Sequence, residues 1–564
     1  MAGLSVLTLN LRWDARGSSR LRGSRHGCSP GSITDAYRLE RLKKPRTSWR
    51  AMRRELRRVL GLAALTGVSV GSMVGSGVFS TPGLLASVAG PSAVLAVLLM
   101  GGATLVLGLV YAELGTLFPR AGGVYYFPRE ILGDFLGFVT GWSYYLSCVV
   151  GTAAIIYSFV LYLSFYAPWL AEGLTLTGYG VGLSLAILAV VTYVNVRGVR
   201  LGAGLSLALT VAKVAAIAAV SAALLLRFKP SNFSSLAPYG AQGLALAVAF
   251  GFWMHAGVES VSLVGEEALD PHRNIAKSLL LTISLVTLVY ALAFAAFVGS
   301  VDWGLLGLRE GDWASLANLS SPFADVAQSL GMPAVAHLAF IGAALSTLGC
   351  FSAWVLLQGR VAFALARESR LWARLGEVHP RFGTPANALA FSSLLTGLVM
   401  LAVPSFPSVV LLSMIAAFLA YATSSLSLPV SRRMLRDAAR PFRAPAPLLL
   451  GWLGFALSTL YMYWACWPWT LTGSLLMLLA VPVYRVFSRL SAAELRRSLW
   501  LLAYVASVPI LSLLGDKTFT YSNFLPVEPL GLIPTPWDAA ALLAVATAFY
   551  VWGYYSAVGP AKVE

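Results

Sequence analysis

The chain has 564 residues, 58% of them hydrophobic and 12% charged. A water-soluble domain carries about 25% charged residues, so the composition excludes an ordinary soluble protein and points to an integral membrane one. The net charge of +17 would suit a nucleic-acid binder, but its placement along the chain argues against nucleic acid. Four separated cysteines (Cys28, Cys148, Cys350, Cys466) form no CxxC or Cys/His cluster, which argues against a metal site or disulfide framework.

Residues 1–51 are rich in Arg, Ser and Gly, with no apolar signal core. They read either as a basic, disordered tail near anionic lipid or as a mispredicted start, with Met52 the initiator. Fourteen apolar spans follow, at about 59–86, 92–118, 133–165, 178–196, 202–226, 242–264, 277–300, 333–362, 386–403, 407–430, 447–466, 469–487, 499–515 and 537–556. Most reach the roughly 20 residues needed to cross a bilayer; the thirteenth is short and contains Pro509. With the N-terminus placed inside, the outer loops hold only Arg227, Lys229, Arg309 and Lys517, and Lys213 lies within a span. All other Lys and Arg fall on the inner side, the positive-inside pattern. This predicts a multi-pass protein of the cell (plasma or inner) membrane with both termini cytoplasmic, and lipid as the partner of its basic charge.

Two spans are interrupted. The first carries GSMVGSGVFSTPG, Gly71 to Gly83, and the sixth FGFWMHAGVES, Phe250 to Ser260. A break frees backbone groups that lipid cannot satisfy, so it persists only where it lines a cavity or binds something, and paired breaks in two halves point to a transporter's substrate site. At the first, Gly75, Ser76 and Gly77 tolerate unusual backbone geometry, and Pro82 loosens the helix before it. Freed NH groups there suit a carboxylate; freed carbonyls, of Met73 and of the second break, suit an ammonium. One site with both features fits a free α-amino acid. The competing reading is close helix packing through Gly71-xxx-Gly75.

The same motifs resemble the APC family (amino acid–polyamine–organocation transporters). GSMVGSGVFSTPG is similar to its first-helix signature and Tyr111 to Trp142 to the segment after helix 2. Asn195 to Lys213 is similar to the helix 4–5 region, Gly257 to Ser278 to the end of helix 6, and Arg360 to Pro385 to the loop after helix 8. The five segments, in order, cover about residues 60–490. The resemblance implies an all-α integral membrane fold of LeuT type. Helices 1–5 (59–226) and 6–10 (242–430) would form inverted repeats with helices 1 and 6 discontinuous. Helices 11–12 (447–487) and two additional C-terminal helices (499–556) would follow.

Within the second break the family pattern runs through Phe252, Trp253, Met254, His255, Ala256, Gly257, Val258 and Glu259, with His255 where an aromatic gate is usual. His255 could cap the substrate, donate a hydrogen bond or titrate, or be a core histidine bonded to a backbone carbonyl. Glu259 could bond backbone freed by the break, but reads better as a pin for span 1. Lys213 lies 13 residues past Arg200 and 14 before Arg227, about 20 Å from either end at 1.5 Å per residue. Snorkelling cannot rescue it, and a mid-membrane lysine is costly and a functional candidate. The resemblance implies that it fills the space of a sodium ion and couples transport to protons, or supplies a fixed charge in an exchanger; a structural tie to carbonyls of span 1 is the alternative.

Glu113, Arg120, Arg129, Glu130, Glu266, Glu267, Arg273 and Arg360 are expected in cytoplasmic ion pairs that act as gating or structural elements, and Asp270-Pro271 reads as the cap of span 7. No GxxxxGK[ST] motif is present, so no ATP motor is expected. Neither an enzyme nor a cofactor is expected. The reading is a proton-coupled amino acid transporter working by alternating access; the alternatives are a sodium-independent or sodium-driven exchanger and a non-transporting receptor or scaffold. The amino acid and the oligomeric state stay open.

Overall fold

A computed structural model describes residues 60–557 apart from 76, 119–122, 198–202, 264, 266–267, 368–370 and 522–526. The chain is helical, because long runs of Leu, Ala, Val and Ile in lipid leave helices as the way to satisfy every backbone group within a segment. In order the helices are α1 (Leu62–Met73), α2 (Gly77–Ser80), α3 (Pro82–Ala89), α4 (Ala93–Leu117), α5 (Gly123–Leu132), α6 (Asp134–Leu163), α7 (Gly178–Val196), α8 (Ala203–Leu225), α9 (Gly240–Gly251), α10 (Ser260–Leu263) and α11 (Pro271–Ser300). They continue with α12 (Pro322–Ser329), α13 (Pro333–Arg367), α14 (Ala386–Ala402), α15 (Phe406–Met434), α16 (Pro447–Trp464), α17 (Trp469–Leu478), α18 (Ala480–Phe487), α19 (Ala492–Leu514) and α20 (Trp537–Ser556). A two-stranded antiparallel ribbon, Ala171–Glu172 with Thr175–Leu176, lies in the loop before α7.

Among the described residues, 12 helical stretches are long and apolar enough to cross a membrane. Two of the 14 spans read from sequence are not among them. α14 has 17 residues, about 26 Å at 1.5 Å per residue, short of the roughly 30 Å hydrocarbon core. The apolar run of α16 is diluted by Trp452, Tyr461, Tyr463 and Trp464. The thirteenth span is longer than expected. α19 starts at Ala492 and passes through Pro509, and its start carries a capping box in which Ser491 and Glu494 each bond the other's backbone NH. Such a cap contributes about 1 kcal/mol.

α15 and α6 are the buried helices of the bundle; every residue of α15 from Phe406 to Ser431 is buried. Helices α4, α8, α11 and α13 keep one face exposed, as in Leu98, Leu207, Leu288 and Leu348, which fits lipid contact on that face. Around α6 and α15 small residues allow close approach. A Cβ on Gly454 of α16 would sit 2.4 Å from Ser425 Oγ, and one on Gly473 of α17 would sit 2.3 Å from Ile415. The last two helices pack on this core, with Tyr463 Oη donating to Asp538 Oδ2 at 2.8 Å. Their connecting loop reaches α9, where Gln242 donates to Asp516 at 3.1 Å and the Phe250 and Tyr521 rings meet edge-on.

Candidate functional site

Two interruptions of helix build the centre of the molecule. α1 ends at Met73, where Val74 has φ −78° and ψ 78°, outside the helical region. Helix resumes at Gly77. Gly75 NH donates to Met73 O at 2.8 Å, a tight two-residue turn. The carbonyls released are taken up by side chains from other helices. Ser346 of α13 donates to Val74 O at 3.1 Å and to Gly75 O at 2.8 Å, and Tyr290 of α11 reaches Met73 O at 2.9 Å. Such bonds answer the demand that buried backbone groups be paired.

In the second interruption α9 stops at Gly251, Phe252–His255 form a 3₁₀ turn, and Ala256 is extended. Gly257 has φ +101°, a conformation a side chain resists, and a Cβ there would lie 3.2 Å from Ser72 C and O. The other break is equally close: a Cβ on Gly77 would meet Met254 Cγ at 2.9 Å, Trp253 Cδ1 at 3.1 Å and Met254 Cα at 3.2 Å. The two interruptions therefore touch through glycines, and Thr81 ties them by donating to Gly77 O and to Met254 Sδ.

Between them lies a cavity of about 10 Å³ lined by Ser72, Met73, Gly75, Gly77, Ile155, Trp253, Ala256, Cys350 and Trp354. That volume holds about one water, so a larger guest requires side chains to move. The Trp253 and Trp354 indoles stand 5.8 Å apart. Gly151 of α6 makes room for both, since a Cβ there would lie 2.8 Å from Trp354 and 3.2 Å from Trp253. Of the residues expected from sequence, Met73, Gly75, Gly77 and Trp253 line this cavity. Phe252, Met254, His255 and Gly257 are buried beside it, and Ser76 lies outside the described residues. Gly75 NH is engaged by Met73 O, so it is not free for a carboxylate here. Ile155, Cys350 and Trp354 were not singled out from sequence.

His255 is fully buried, and neither ring nitrogen has a hydrogen-bond partner among the described residues; the bond to a backbone carbonyl weighed from sequence is not there. Its ring meets Tyr290 edge-on at 5.5 Å. Glu259 is buried and accepts from Tyr144 of α6 and Tyr421 of α15, each at 2.9 Å. Its carboxylate thus anchors the second break to α6 and α15, and backbone NH groups of Gly257 and Glu259 also bond it.

Lys213, on α8, is 3% exposed and donates to Gly71 O of α1 at 2.6 Å. It borders a second cavity, of about 130 Å³, that shares Ser72, Cys350 and Trp354 with the first. Those three residues are the partition between lysine and central cavity.

The expected loop charges separate into different roles. Glu113 is fully buried. Arg432 grips its carboxylate with two bonds (2.9 and 2.6 Å), Arg440 adds one at 3.0 Å and Ala444 NH one at 2.7 Å. It ties α4 to the end of α15 and the segment before α16. Arg129 pairs with Asp134 at 3.2 Å, and Arg360 is exposed on α13. Arg120, Glu266 and Glu267 lie outside the described residues. Asp270 precedes Pro271 at the start of α11, but its side chain makes no cap bond; its carbonyl accepts from Arg273 and Asn274 instead. Outside the helices, the Lys229 ammonium beside Asp302 holds that carboxyl below its usual range.

A chain of many apolar crossings, packed around two touching interruptions of helix, is a multi-pass membrane protein of transporter type. Residues 60–526 match the model of the amino acid permease family, and the chain belongs to that family, one of the APC-type transporters. It is 27% identical over 523 residues to a glutamate/serine transporter, AimA, of Bacillus subtilis, covering 89% of this chain and 94% of that one. It is 28% identical over 518 residues to an aspartate-proton symporter of the same organism, covering 88% and 96%. A branched-chain amino acid permease, BcaP, also from Bacillus subtilis, is 25% identical over 450 residues, covering 77% and 94%.

Proposed function

We propose that this protein is a secondary active transporter of free α-amino acids, coupled to protons, that works by alternating access. The observation that carries the reading is the meeting of the two helical interruptions across the small cavity between Met73, Gly77 and Trp253. Backbone dipoles of opposite sign at that point suit a zwitterion. The carboxylate is assigned to the backbone at Ser76–Gly77 and the ammonium to carbonyls of Met73 and the second break. The substrate side chain then faces Ile155, Trp354 and Cys350, on spans 3 and 8, with Trp253 and His255 of span 6 beside it.

In this reading the chain adopts the LeuT-type arrangement, with helices 1 and 6 discontinuous, inverted repeats over 59–226 and 242–430, and 14 membrane helices. α14 and α16 then cross where the bilayer thins or by snorkelling at their ends. Both termini are cytoplasmic, by the distribution of Lys and Arg. One helix group rocks against the other around the fixed site, and Lys213 exchanges the coupling proton through the cavity beside it. The kinship with an aspartate-proton symporter supports that role. Relatives named for glutamate, serine, aspartate and branched-chain substrates carry unlike side chains, so the class is supported more strongly than any one amino acid.

A second reading, a sodium-independent exchanger, is favoured by one bond: Lys213 tied to Gly71 O is also what a fixed charge would do. Uptake of a panel of radiolabelled amino acids into proteoliposomes, at fixed pH and under a proton gradient, with and without sodium, tests both. Saturable uptake driven by the proton gradient and indifferent to sodium is expected. Binding without flux for every amino acid would contradict the proposal.

A further inference from the structure

Tyr290 sits in the middle of α11 and is fully buried. Its hydroxyl lies 2.9 Å from Met73 O, in the first break, and 3.3 Å from Met254 O, in the second. A phenol carries one proton, so it cannot satisfy both carbonyls at full strength. Met73 O already accepts Gly75 NH at 2.8 Å. A carbonyl oxygen has two lone pairs, so in this arrangement both acceptor positions of Met73 O are in use. The His255 ring packed edge-on at 5.5 Å holds the phenol between its two acceptors. The phenol reaches either carbonyl with little displacement.

We infer that Tyr290 is a positioning residue that stands in for the substrate's ammonium. In the unloaded carrier its hydroxyl donates to Met73 O; an arriving ammonium takes that carbonyl, and the hydroxyl passes to Met254 O. The inference rests on the proposed amino acid site at the two breaks and goes beyond it. It explains how a carrier with bared backbone carbonyls can return unloaded, which net uptake requires and obligate exchange does not. Met73 O keeps Gly75 NH in either case, but a buried acceptor position left unfilled is costly, and Tyr290 fills the second one when no substrate is bound. It also makes the hydroxyl a competitor of the ammonium for Met73 O.

The sign of its removal follows. Tyr290→Phe deletes the competitor, so substrate binds more tightly, while the unloaded carrier loses its stand-in and returns more slowly. In proteoliposomes, the half-saturating concentration in counterflow is expected to fall. Net uptake into vesicles with no internal amino acid is expected to fall roughly two- to tenfold, the worth of one buried hydrogen bond, with counterflow rate kept. A mere strut would behave otherwise. Weaker binding, a parallel loss of uptake and counterflow, or no change in either would overturn the inference. The unaltered protein gives a check that needs no variant: if it exchanges amino acids but takes up none into vesicles without internal amino acid, Tyr290 does not support unloaded return and the inference fails. No saturable counterflow of any amino acid by the unaltered protein would instead sink the amino acid site itself.

Discussion

Glu113 and Lys213 are both buried charges in the same bundle, and their surroundings are opposite. Glu113 is saturated: two arginines and a backbone NH fill its carboxylate, and no cavity adjoins it among those described. Among the described residues Lys213 bonds one carbonyl, Gly71 O, and has a cavity of about 130 Å³ at its side. A saturated buried charge is committed to one arrangement. A charge held by one bond beside open space can change partner or protonation as helices move. The comparison suits scaffold duty for the first, which the sequence places among paired cytoplasmic charges, and the working duty proposed for the second, which the sequence offers as a lone charge within a span.

The largest expected effect breaks the scaffold side. Glu113→Ala leaves Arg432 and Arg440 without their counter-charge, and losing one partner of a buried ion pair costs about 3–5 kcal/mol. The variant should lose most of its monodisperse yield on size-exclusion chromatography; a stable, fully folded variant would refute the assignment. Next comes the contact between the two breaks. Gly77→Val drives a side chain into Met254 and Trp253, and overpacking costs about 1–3 kcal/mol, so the half-saturating substrate concentration should rise about tenfold or more. Gly102→Ala, with nothing within 4 Å of its Cβ, is the matched control and should leave transport unchanged. If both glycine variants behave alike, the breaks do not form the site.

The smallest effect concerns the loop between the last two helices. Burial pushes the Asp516 carboxyl up, but hydrogen bonds from Thr535 and Thr518 outweigh it and hold it down at about 2. A depressed carboxyl stabilises the fold above its ordinary range and loses that contribution as pH falls through the folded value. The contact of this loop with Gln242 should therefore weaken between about pH 4 and pH 2. Limited proteolysis across that range checks it, and in Asp516→Asn the pH dependence should vanish.

Much of the frame was legible because its causes are local. Apolar runs mark spans, and GSG and HAG sequences mark interruptions, since glycine is needed where helix gives way. What escaped depends on distance. Glu113 finds Arg432 319 residues away, and nothing near either residue announces the other. Tyr290 meets Met73 across 217 residues. Cys350 and Trp354 lie on a helix of 35 residues, whose inward face cannot be chosen without its register. The tyrosine partners of Glu259 are hidden for the same reason: Tyr144 and Tyr421 are tyrosines among 22 in the chain, and only packing selects them. Short α14 and aromatic-rich α16 show the limit of counting apolar residues.

The most direct test of the working charge is the proton dependence of Lys213→Ala in proteoliposomes, read as amino acid uptake under an imposed inward proton gradient beside counterflow at equal pH. The account predicts that the variant keeps counterflow and no longer responds to the gradient. Uptake by Lys213→Ala that still rises with the proton gradient as in the unaltered protein would contradict it.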